Sequence, residues 1–145
     1  MIPQKTSIAG IAMICHFEDC RLEAYRCPAG IPTVGFGHTG AGIMMGLTIT
    51  LERAKQLLAG DLHVAENAIA HAVHVPLTQG MVDALISLVF NIGAAAFRES
   101  VMLGLLNQSD FAGASQQFAR WCHAGAEILP GLVARRAAER EMFLS

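Results

Sequence analysis

The chain has 145 residues, 53% of them hydrophobic and 15% charged, with a formal net charge of −2. That length supports one domain with a real core, and two independent domains would be cramped. No basic block is present to meet a phosphate backbone, which argues against a nucleic-acid partner, and no apolar stretch reaches the ~20 residues of a bilayer span.

Residues 7–19 are expected to form a first helix, capped by Ser7, with apolar residues recurring at Ile8, Ile11, Ala12, Cys15 and Phe17. Lys5 precedes this run, but no small-residue cleavage site follows before Glu18 and Asp19, so it does not read as a signal peptide. Residues 20–49 are punctuated by Pro28, Gly30, Pro32, Gly35, Gly37, Gly40, Gly42 and Gly46, with β-branched and aromatic residues between. That pattern predicts a small antiparallel sheet with tight turns.

Thr50 is the expected N-cap of a long helix. Its apolar stripe runs through Leu51, Ala54, Leu57, Leu58, Leu62, Ala65 and Ile69, and Pro76 stops it. Thr78 caps the next helix, expected to run through Asn91. The uncharged stretch Ala84–Phe97 reads as a buried core helix interrupted by Asn91 and Gly93. Residues 95–145 are helical in pattern, with breaks near Asn107-Gln108-Ser109 and Leu129-Pro130-Gly131. Asp110 is the expected cap of one of these helices, and Pro130 fits the first turn of the last. The fold class is therefore α+β, with its strands confined to an N-terminal lobe. The expected division is an N-terminal lobe over about 1–50, a connecting helix over about 50–75 and a helical lobe over about 76–145. A cleft between lobes would suit a polymer.

Three residues within Phe17–Gly40 carry candidate chemistry. Glu18 closes an apolar segment. A carboxyl in a partly dry cleft is held protonated by desolvation and can donate to a leaving oxygen; the alternative is a solvated glutamate at a helix end. Asp19 points about 100° away on a helix, and Glu23 lies beyond the helix end, so neither is an obvious partner. Cys27 sits before Pro28 in a turn. It is either a small buried residue or a thiolate acting as base or nucleophile. Thr33 either orients a water or a sugar hydroxyl, or is an ordinary strand threonine.

These residues, followed by Gly35-Phe36-Gly37-His38-Thr39-Gly40, resemble the signature of the phage-type lysozymes, glycoside hydrolase family 24. Two further blocks match in order: VPLTQGMVDALISLVFNIGAAAF and RWCHAGAEILPGLVARRAAEREMF. The resemblance covers nearly the whole chain and implies a lysozyme-like fold, with a small N-terminal antiparallel sheet lobe and a helical C-terminal lobe joined by a long helix. It implies a muramidase cleaving the β-1,4 bond between N-acetylmuramic acid and N-acetylglucosamine in peptidoglycan. Glu18 would be the general acid, Thr33 a third member, and Cys27 would stand where many members have aspartate. A carboxylate base about 6.5–9.5 Å from the acid inverts the anomeric centre, whereas a nucleophile retains it. The reading taken for Cys27 is that it polarises or positions water. Arg135 or Arg136 would pair with Glu18 or close the lobe interface.

The same resemblance implies a monomer of phage or prophage origin, made in the bacterial cytoplasm, that crosses the inner membrane by a holin-type lesion and acts in the periplasm. The rival is a catalytically impaired peptidoglycan-binding or structural module on the same fold. No cofactor and no metal are expected. Gly35–Gly40 matches a dinucleotide-binding pattern literally, but no helical stripe follows it. His71 and His74 lack a nearby third ligand. Cys20 lies seven residues before Cys27, so a regulatory disulfide between them is conceivable against the plainer reading of independent thiols.

Overall fold

The computed structural model describes residues 5–145, so residues 1–4 of the expected N-terminal lobe lie outside the described residues. The first helix, α1 (Ile8–Phe17), begins where Ser7 accepts a hydrogen bond from the Gly10 N–H and ends at Glu18. Its buried residues are Gly10 and Ile14. Ile8 is 89% exposed, so the apolar stripe expected from Ile8 and Ala12 faces outward. Gly10 explains the choice of face: a Cβ there would lie 2.6 Å from Cγ of Asp83, so only glycine lets α1 approach this closely. Asp83 in turn accepts from both the backbone and the hydroxyl of Ser7.

Strands β1 (Arg21–Arg26) and β2 (Pro32–Gly35) form an antiparallel hairpin, with Tyr25 opposite Thr33. Beyond β2 the chain turns repeatedly and returns through an isolated bridge between Glu23 and Thr48. The expected sheet over 20–49 is thus only two strands and two isolated bridges. Gly35 adopts φ +68°, and a Cβ built on it would meet Ala54 at 3.3 Å, which seats the hairpin against the long helix.

That helix, α2 (Leu51–Ala72), is capped by Thr50 accepting from the Arg53 N–H. It buries Ala54, Leu58, Leu62, Ala65, Glu66, Ala68 and Ile69. Leu51, expected in the stripe, is 49% exposed because it occupies the first turn, beyond the packed part of the helix.

Thr78 caps α3 (Gln79–Ile92), which is buried on nearly every side from Val82 to Val89. Gly93 breaks it at φ +94°, and α4 (Ala94–Arg98), α5 (Val101–Asn107) and α6 (Phe111–Gln116) follow, α6 capped by Asp110. A 3₁₀ turn covers Gln117–Arg120. Next comes a short hairpin, β3 (His123–Ala124) with β4 (Glu127–Ile128), before α7 (Pro130–Leu144). This hairpin corrects the expectation that strands are confined to the N-terminal part. Gly125, at φ +62°, supplies the turn.

Helix α3 is the hub. It packs against α7, α2 and α1, and its Leu85, Ile86 and Leu88 are fully buried with Phe97, Phe118 and Phe143.

Candidate active site

Glu18 stands at the junction of α1 and the hairpin, where its N–H closes the last turn of α1 on the Ile14 carbonyl at 2.9 Å. Its Oε2 accepts from Arg135 Nη1 at 2.6 Å, and its side chain is 21% exposed against 4% for Arg135. Among the described residues no hydrogen bond reaches Oε1. The expected pairing of an α7 arginine with Glu18 therefore falls to Arg135, across 117 residues of sequence.

Arg135 is itself tied down on three sides. Its Nη2 donates to the Ser87 carbonyl at 3.2 Å and to the Ser87 hydroxyl at 3.3 Å, and its Nε donates to Glu139 Oε2 at 3.3 Å. Glu139 is fully buried and also accepts from the Ser87 hydroxyl. Arg136 sits beside it: Nη2 donates to Asn91 Oδ1 at 2.8 Å. Its Nε lies 2.8 Å from Glu139 Oε1 but out of line, so this contact is an ion pair without a directional hydrogen bond. Burial pushes the Glu139 carboxyl up from its ordinary range against the pull of both arginines, and burial lowers Arg136.

A cavity of about 300 Å³ opens at Glu18. Phe36, Gly37 and Thr39 form one wall, Asp61 of α2 another, and Phe90 with Asn91 close it from the end of α3. Asp61 is fixed by His38, whose Nδ1 lies 2.8 Å from Oδ2 and 3.0 Å from Oδ1. His38 is thus hydrogen-bonded to Asp61 at the sheet edge, and the Gly35–Gly40 glycines serve a turn: Val34 and His38 exchange backbone hydrogen bonds in both directions.

Neither Cys27 nor Thr33 lines this cavity. The two are brought together on the hairpin instead. Cys27 N–H donates to the Ile31 carbonyl at 3.0 Å, and Gly30 N–H donates to the Cys27 carbonyl at 2.7 Å. Gly30 takes φ +81°, a conformation that closes this turn without cost only for glycine. Thr33 is buried, 3% exposed, and its hydroxyl donates to the Ile31 carbonyl at 2.9 Å. The Cys27 thiol is half-buried rather than a core residue. Its pKa is lowered, first by the backbone of Ile31 and of Ala29, with the Thr33 hydroxyl adding. Hydrogen bonds to a sulfur anion favour the thiolate.

The remaining thiols are free: Cys15, Cys20 and Cys122 carry no disulfide, and Cys20 and Cys27 are not joined. Burial raises the pKa of both Cys15 and Cys20. His71 bonds the Asn67 carbonyl through Nδ1 at 2.8 Å. Among the described residues no group of three His, Cys, Asp or Glu side chains is placed to hold a metal, and no helix is long and apolar enough to cross a membrane.

Sequence reasoning missed Ser87, Asn91, Glu139 and Asp61. Glu139 had a legible signal, because it lies three and four residues past Arg136 and Arg135, on the same helical face. Asp61 had none, since only the fold brings α2 to His38.

The family model described as phage lysozyme matches residues 15–139. The endolysin of Acyrthosiphon pisum secondary endosymbiont phage 1 is 42% identical over 94% of this chain and 95% of its own length. The endolysin of Salmonella phage P22 is 44% identical over the same shares. A SAR-endolysin of Enterobacteria phage P21 is 42% identical over 83% of this chain and 73% of that protein. Among solved structures, a P22 lysozyme mutant superposes with a TM-score of 0.90 at 41% identity, covering 97% of this chain and 99% of that one. The muramidase domain of SpmX from Asticaccaulis excentricus gives 0.91 at 37% identity over 97% of this chain and 98% of that one.

Proposed function

This chain belongs to the phage lysozyme family and is a glycosidase of the endolysin type, and from that premise we propose that Glu18 is the general acid of its muramidase reaction. The observation that carries the proposal is the Glu18 carboxyl itself. Arg135 holds one oxygen at 2.6 Å, and the residue lines the cavity between hairpin and helices. A carboxyl fixed through one oxygen presents the other to a ligand in a defined direction, which is what proton delivery to a departing glycosidic oxygen requires. The hairpin, α2 and the helical part act as one lysozyme-like domain, with the glycan strand lying along the groove at Glu18.

Cys27 works from the hairpin, on the opposite side of the scissile bond. Hydrogen bonds that favour its thiolate equip it to polarise or position the attacking water. Thr33 has one hydroxyl proton. It serves the Ile31 carbonyl at rest and turns to the sulfur or to a bound water when charge develops there. Asp61 and Asn91, both on the cavity wall, present acceptors and donors to sugar hydroxyls. A water-activating role for Cys27 inverts the anomeric centre.

Turbidity clearing of chloroform-treated Gram-negative cells tests the assignment. Glu18→Gln should lower the clearing rate by ~10²–10⁴-fold, the range for a general acid, with its circular dichroism unchanged. Clearing at the wild-type rate would remove Glu18 from the mechanism. The enzyme reaches the wall in the periplasm through a membrane lesion of the holin type. Lysis on expression alone, without such a lesion, would reject that route.

A further inference from the structure

A second cavity, of about 230 Å³, is lined by α7, the 3₁₀ turn and the segment that follows it. Cys122 is on its wall, with Arg136, Arg140, Ala119, Val133 and Ala137. Two cations and no acid line it. Arg136 is 2% exposed; its Nε faces the Glu139 carboxylate at 2.8 Å, and its Nη1 has no partner among the described residues. A buried donor left without a partner is costly, so an acceptor entering beside Nη1 is favoured. Arg140 is exposed at the mouth. Neither the sequence motif nor the proposed reaction uses Cys122.

We infer that Cys122 is a modification site selective for small anionic disulfides, with Arg136 and Arg140 receiving the carboxylate. The step is thiol–disulfide exchange. The Cys122 thiolate attacks one sulfur of the reagent, the reagent's S–S bond breaks, a mixed disulfide forms, and the second half leaves as a thiolate with the electron pair. The Cys122 proton passes to solvent, and His123 Nδ1, 3.7 Å from Sγ, is the first acceptor on its way. No other oxidant is needed, because the incoming disulfide is the species reduced. The site is not remote from the proposed chemistry: the same Arg136 guanidinium donates to Asn91 on the wall of the Glu18 groove.

The test compares three disulfides of similar size on the full chain: dithiodiglycolate (anionic), bis(hydroxyethyl) disulfide (neutral) and cystamine (cationic). Peptide-resolved mass spectrometry follows adduct formation at Cys122. In the folded protein dithiodiglycolate should react there about 10-fold or more faster than cystamine, the neutral reagent falling between; a tenfold ratio corresponds to ~1.4 kcal/mol. The same ratio measured in urea, where the two arginines no longer share a wall with the thiol, should be smaller. Arg140→Gln, an exposed change that leaves the fold intact, should reduce the native ratio. A native ratio no greater than the urea ratio, or one unmoved by Arg140→Gln, would overturn the inference.

Discussion

Glu18 and Cys27 are held by different means. Glu18 hangs from a buried lattice of charge, in which Arg135, Arg136, Glu139 and Ser87 have almost no exposure. Cys27 hangs from the backbone of a two-stranded hairpin whose tip, Pro28 to Ile31, is exposed throughout. The acid's position is thus inherited from the hub of the core, α3 against α7, while the sulfur's position depends on four residues of turn geometry. Damage to the first should cost folding, and damage to the second should cost activity with folding spared.

The largest expected effect lies on the core side. Glu139→Gln leaves Arg136 buried without a counter-ion and Arg135 with Glu18 alone, and removing one partner of such a group costs about 3–5 kcal/mol. Urea denaturation measures it, and a loss below ~1 kcal/mol would dissolve the contrast between the two regions. The pH dependence of this difference has a definite sign. The folded carboxyl of Glu139 has a raised pKa. Its contribution is therefore fully present below the unfolded carboxylate range and is lost as pH rises through the folded value. The glutamine variant lacks that part of the stability–pH curve.

On the hairpin side, Cys27→Ala should lower wall lysis by about 10²-fold, the lower end of the range for a group acting on a transferred proton. Stability should move by no more than ~0.5 kcal/mol, as for other changes outside the core. Undiminished lysis would strip Cys27 of either role. The smallest effect is chemical. Because its pKa is lowered while that of Cys20 is raised, Cys27 should become reactive to iodoacetamide at a lower pH than Cys20, and the reverse order would contradict the hairpin electrostatics.

The same division governs what could be read in the sequence. The caps at Ser7, Thr50, Thr78 and Asp110 each bond an N–H three residues on, and such local bonds leave local signatures. Pro130 likewise opens α7 as its fixed φ allows. The hairpin around Cys27 was legible from its proline and glycines. The face of α1 was not, because Gly10 is buried by the approach of Asp83 from 73 residues away, a contact between two positions that periodicity treats as unrelated. The short hairpin after Trp121 escaped notice because strands of two residues carry no alternation to detect. Of the proposed site residues, Glu18, Cys27 and Thr33 stood out within one segment of sequence. Asp61, Ser87 and Asn91 enter only through tertiary packing.

The central claim is that Glu18 supplies the proton to the leaving sugar. The most direct measurement compares wild type with Glu18→Gln on peptidoglycan and on an aryl β-glycoside of the same disaccharide, whose leaving group departs without protonation. A general acid predicts a large deficit on peptidoglycan that nearly vanishes on the aryl glycoside. An equal deficit on both substrates would show that Glu18 does something other than donate that proton.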